Sequence, residues 1–268
     1  MPKNLAQDCI DTALKMTRLE PLRNNVIQVG SLYKDVMGDI DLSIEKSSLE
    51  NFLGLKNPSK KELFDSVEQF LNKNLKKNSF IINRGLAQFH LAVPLAGNKD
   101  KLVQVDFFPS NNKWTKDFLV QNRSENDGIG GSKTEISLPA KYRNILLYCI
   151  GSVASKQESF DGTWTRLFID VKEGLFRQTY AIILGQNKEI SREFLTDNID
   201  EACQEIIDRE CMWDKVDSCW KMLNYFQNSS FIGNKNKMNV YTEYSAAIQK
   251  TKLEQPKFIA EKLKQDDW

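Results

Sequence analysis

The chain has 268 residues, with 37 Lys and Arg against 36 Asp and Glu, one histidine and a net charge of +1. That length suffices for one large domain or two modest ones with a real core, and near-neutrality excludes a global field toward nucleic acid or membrane, so any such surface is local. The longest apolar run, ILLYCIGSVA (145–154), is too short to span a bilayer, and MPKNLAQDCI lacks the layout of a signal peptide, so a cytoplasmic protein with no membrane partner is expected.

In chain order, residues 4–18 carry helical spacing through Leu5, Cys9, Ile10, Ala13 and Leu14. VIQVG (26–30) is a short β-rich segment stopped by glycine. DIDLSI (39–44) alternates, with Ile40, Leu42 and Ile44 on one face and Asp39, Asp41 and Ser43 on the other. Ser59 followed by Glu62 predicts a capping box and a helix to about Leu75. SFIIN (79–83) and LAQFHLAVPL (86–95) read as strands, AGNKD as a turn and KLVQVDFF (101–108) as a further strand, making 86–108 a hairpin.

These elements predict an α+β protein. An α/β domain with a mixed sheet spans residues 1–123, a Gly-rich linker or lid 124–138, and a mainly α-helical accessory domain 139–268. Helices are expected at 139–155, 191–210, 213–227 and within 240–265; TWTRLFIDVKEGLFRQTYAIIL (163–184) is compatible with strand or buried helix. The cysteines at 9, 149, 203, 211 and 219 are odd in number and widely spread, which argues against a disulfide framework. Zinc sites prefer closer pairs, so reduced cysteines packed against a core are expected.

The chemistry concentrates in VGSLYKDVMGDIDLSI (29–44). On a strand Asp39 and Asp41 share a face. Two adjacent carboxylates repel and raise their own pKa values, which a hard divalent cation such as Mg²⁺ or Mn²⁺ resolves. A two-metal site needs a further carboxylate. Asp106, alone among apolar residues in LVQVDFF, supplies it if its strand lies beside DIDL. Gly30 lets the backbone approach a phosphate, Ser31 offers a hydroxyl, and Lys34 either reaches a triphosphate oxygen or points into solvent.

The sequence VGS…GDIDL…VQVDFF resembles the nucleotidyltransferase superfamily of DNA polymerase beta, poly(A) polymerases, CCA-adding enzymes and aminoglycoside nucleotidyltransferases, over about residues 22–108. The resemblance implies that Gly30 and Ser31 bind a nucleoside triphosphate, with Lys34 one turn further on as a candidate nucleotide contact. It implies that Asp39, Asp41 and Asp106 hold Mg²⁺ or Mn²⁺, with Asp106 helping to activate an acceptor hydroxyl. Seven residues separate Ser31 from Asp39, fewer than in the family. The acceptor stays open between an RNA 3′ end, a small molecule, a protein side chain and a second nucleotide, with RNA favoured. A catalytically inactive nucleotide-binding protein and a metal-dependent nuclease are the rivals.

Other features read as ordinary. GIGGSKT (128–134) lacks the spacing of a phosphate loop and is expected as hinge or lid. Lys141 and Arg143 open a helix and suit either phosphate contact or a solvated face. The Lys-rich stretches at 73–77 and 233–237 read as surface, and His90, between Phe89 and Leu91, as structural.

Overall fold

The computed structural model describes residues 5–30, 39–76, 79–95, 98–119, 140–230 and 232–251, and the chain divides into two compact units, Met1–Gln121 and Asn122–Trp268. Both mix helix and strand.

In the first unit, α1 (Ala6–Thr17) buries Cys9, Ile10, Ala13 and Leu14 at helical spacing and ends at Arg18, whose left-handed backbone returns its N–H to Leu14 and Lys15 carbonyls. A 3₁₀ turn leads into β1 (Val26–Val29), followed by β2 (Asp39–Glu45), α2 (Lys46–Phe52), α3 (Lys60–Asn74), β3 (Phe80–Asn83), β4 (Gln88–Leu95), β5 (Asn98–Ser110) and α4 (Asn112–Phe118). The capping box forms as its residues predict. The Glu62 N–H donates to Ser59 Oγ, and the Ser59 N–H donates to Glu62 Oε2 at 2.8 Å.

The five strands lie in the order β1-β2-β5-β4-β3, with β2 and β5 parallel and every other pair antiparallel. Alternation then decides the two faces. Ile40, Leu42 and Ile44 of β2, Val103, Val105 and Phe107 of β5, and Phe89, Leu91 and Val93 of β4 join α1 and α3 in one buried cluster. Phe89 stacks on Phe107 across the hairpin, ring centroids 5.0 Å apart. The opposite face carries Asp39, Asp41 and Ser43 of β2 and Gln104, Asp106 and Phe108 of β5.

One end of that second face is tied down by α4. Ser43, Ser110 and Thr115 form a buried hydroxyl cluster, and Ser43 Oγ also donates to Asn112 Oδ1. Asn112 in turn donates its N–H to Glu45 and its amide to the Asn25 carbonyl, at 2.9 and 2.8 Å. The β2–β5 seam is thereby anchored just beyond the aspartates.

The second unit is less helical than its sequence suggests. After α5 (Ala140–Cys149) and a π turn come β6 (Gln157–Glu158), β7 (Trp164–Asp170), β8 (Gly174–Ile183) and β9 (Gln186–Thr196), an antiparallel sheet in chain order. Then follow α6 (Ile199–Ile206), α7 (Trp213–Val216), α8 (Cys219–Asn228) and α9 (Asn234–Lys250). The ambiguous 163–184 stretch is two strands, and the helix expected at 191–210 starts only at Ile199. Asn198 caps it there, accepting from the Asp200 and Glu201 N–H groups. The residues before it are drawn into the sheet by a two-residue turn, Leu184-Gly185, both at positive φ, which matches the twist of a tight hairpin. All five cysteines are buried thiols, none in a disulfide. Cys203, Cys211 and Cys219 lie on α6, the following loop and α8.

Candidate functional site

Parallel pairing of β2 with β5 sets Asp41 directly opposite Asp106, with Asp39 opposite Gln104. All four side chains stand on the face away from the core. Asp39 is exposed, Asp41 half-buried, and Asp106 only 7% exposed. The three carboxylates picked out in the sequence are therefore neighbours, although 66 residues lie between Asp39 and Asp106 in the chain.

Their proximity has an electrostatic cost. Burial, then the charges of Asp39 and Asp106, push the Asp41 carboxyl up from its ordinary 3.8 to about 6, and His90 partly offsets them. An acid raised in this way is held in its charged form only against desolvation and like-charge repulsion.

Asp106 is relieved differently. His90 Nδ1 lies 2.7 Å from Asp106 Oδ1, and Gln104 Nε2 donates to Oδ1 at 2.8 Å and to Oδ2 at 3.0 Å. His90 faces Asp106 because β4 and β5 pair with these two residues in register. A structural role for His90 was the sequence expectation; the structure sets this only histidine of the chain against the third carboxylate.

Gly30 sits beside this group for a reason the sequence did not disclose. Its φ is +78°, and a Cβ built there would lie 2.8 Å from Asp41 Oδ2. The absent side chain makes room for a carboxylate. Gly30→Ala should cost about 1–2 kcal/mol from the left-handed backbone and in addition displace Asp41. Gly54→Ala is the matched control, because Gly54 has φ +72° with nothing within 4 Å. Urea midpoints of the two variants should both fall, that of Gly30→Ala by more. Equal losses would mean that the Asp41 contact does not constrain the site.

Ser31 and Lys34, expected at the triphosphate, lie outside the described residues, as does the 128–134 loop. The Lys141 side chain is likewise outside them. Arg143 departs from its expectation. It is buried, donates to the Asp217 carbonyl at 2.6 Å and stacks 4.5 Å over the Trp213 ring, so it braces the second unit rather than meeting a phosphate. Lys237, in the second Lys-rich stretch, is also buried and donates to the Gln227 carbonyl.

In donor type and charge the three aspartates suit a hard divalent cation, which would neutralise the repulsion that raises Asp41. Among the described residues, however, no three acidic, histidine or cysteine side chains converge on one point as placed. The Asp106 oxygens are turned to His90 and Gln104, so a closed ligand set requires Asp106 to share an oxygen. Comparison with family models, with curated proteins and with solved structures finds no match to the chain.

Proposed function

We propose that the protein is a metal-dependent nucleotidyltransferase, moving a nucleoside monophosphate from a nucleoside triphosphate to an acceptor hydroxyl. The acceptor oxygen bonds the α-phosphorus, the bond from it to the β-phosphate's bridging oxygen breaks, pyrophosphate leaves, and the hydroxyl proton passes to Asp106 or to water. What carries the reading is the facing of Asp41 and Asp106 across parallel strands, with Asp39 on the same face. Asp39, Asp41 and Asp106 would hold Mg²⁺ or Mn²⁺. When bound, the metal supplies charge neutralisation at the phosphates. Gly30 keeps space beside Asp41; Ser31 is proposed at the triphosphate by the resemblance of its motif, and Lys34 by its spacing one turn beyond Ser31. We place an RNA 3′ end first among acceptors and the cytoplasm as the location.

The test is incubation with each α-labelled nucleoside triphosphate and Mg²⁺ or Mn²⁺, with total RNA or without acceptor, beside an Asp39→Ala/Asp41→Ala control. Label passing to RNA, and lost in the control, is the expected result. Label passing to a small molecule or to the protein itself keeps the reaction and changes the acceptor. Transfer no greater than in the control overturns the reaction. The engagement of Asp106 by His90 and Gln104 favours one second reading, a regulatory protein that binds nucleotide without turnover. Nucleotide binding with no transfer would select it.

A further inference from the structure

We propose that His90 and Gln104 are positioning residues that clamp the Asp106 carboxylate and leave its Oδ2 as the oxygen with capacity for a divalent cation. The inference rests on the nucleotidyltransferase reading and specifies how its third ligand is held. An ionised carboxylate has about four lone-pair positions, two on each oxygen. Oδ1 takes two close donors, His90 Nδ1 at 2.7 Å and Gln104 Nε2 at 2.8 Å. Among the described residues, Oδ2 takes only the 3.0 Å contact from Gln104. Oδ1 is therefore filled, and Oδ2 retains a lone pair.

The two donors come from independent directions. Gln104 stands two residues before Asp106 on β5, hence on the same face, while His90 reaches from β4 through the cross-strand pairing. With either donor alone the carboxylate could turn about its Cβ–Cγ bond, whose torsional wells are broad. Together they fix its plane. The side chains of His90 and Asp106 are 18% and 11% exposed, so water competes weakly for the contact. For this bond His90 must carry its proton on Nδ1, since an ionised carboxylate only accepts.

Outer hydrogen bonds that orient a metal-binding group typically contribute 10–100-fold in affinity. The experiment is Mn²⁺ binding to the full chain, read by the paramagnetic resonance signal of unbound Mn²⁺, in wild type, His90→Ala, His90→Asn and His90→Gln. Asn places an amide N–H where imidazole Nδ1 stands, whereas Gln carries its amide one carbon further out. We expect affinity to fall about 10–100-fold for His90→Ala and His90→Gln and to recover toward wild type in His90→Asn. Circular dichroism melts check that each variant is folded. Unchanged or tighter binding in folded His90→Ala and His90→Gln overturns the clamp, as does an Asn variant no better than Gln. Failure of the underlying reading looks different. There wild type and Asp39→Ala/Asp41→Ala would bind Mn²⁺ alike, or neither would bind, and the clamp falls with it.

Discussion

Asp41→Asn is expected to reduce nucleotidyl transfer by about 10³-fold while leaving the protein folded. The size follows from what the carboxylate does in the proposed reaction. Charge stabilisation at a metal-bridged phosphate supplies several kcal/mol, and about 4 kcal/mol corresponds to about 10³ in rate. The amide is nearly isosteric with the acid, and Asp41 takes no part in the buried cluster of the opposite sheet face, so the fold has no need of its charge. Single-turnover transfer at saturating nucleotide and metal measures the loss, and a titration of Mg²⁺ separates weakened metal binding from slower chemistry. An Asp41→Asn variant within about tenfold of wild type would remove Asp41 from the chemistry, because tenfold amounts to only about 1.4 kcal/mol.

Much of this site was legible before the structure because strand periodicity is short-range. Two residues apart on a strand is enough to place Asp39 with Asp41 and Gln104 with Asp106. The hairpin held more than was read from it. Phe89 and Leu91, the apolar neighbours of His90, belong to the other face of the sheet. Alternation alone sets His90 on the face opposite them, whereas its place against Asp106 depends on the register shift between Pro94 and Leu95, since Leu95 pairs with Asn98 and Pro94 with Leu102. The Asp41–Asp106 register was not legible. It joins two parallel strands distant in the chain, and such a register is decided by the packing of Ile40, Leu42, Val105 and Phe107 against α1 and α3.

The second unit is less legible in the sequence for a related reason. β9 exposes nearly every residue from Gln186 to Phe194, so neither a period of 2 nor one of 3.6 marks it. Its strand character comes from pairing with the β-branched and aromatic β8 through a Leu-Gly turn, and Leu at positive φ is an uncommon hairpin residue. The chemical start signal of α6 is in the sequence, as Asn198 accepts from the Asp200 and Glu201 N–H groups.

The same raised acid that makes Asp41 useful should make it costly to the fold, and the cost has a definite dependence on pH. The Asp41 carboxyl ionises at its ordinary 3.8 when unfolded and at about 6 when folded. Between those values the folded chain holds the extra proton, so stability is full below about pH 4 and is lost as pH rises through about 6. The difference corresponds to at most about 3 kcal/mol, and solvent reaching a half-buried carboxylate screens it toward about 1 kcal/mol. Asp41→Asn abolishes this loss. Urea unfolding from pH 4 to pH 8 should show wild type and variant converging at the acid end. The variant should gain through the window and then hold a constant lead above pH 7. Adding Mg²⁺ at pH 7 should close that lead by stabilising wild type alone, since a ligand that binds only the folded state stabilises it by mass action. A lead that is independent of pH would assign the variant's gain to packing. A lead that Mg²⁺ leaves untouched would mean that the repulsion among Asp39, Asp41 and Asp106 is not maintained for a cation.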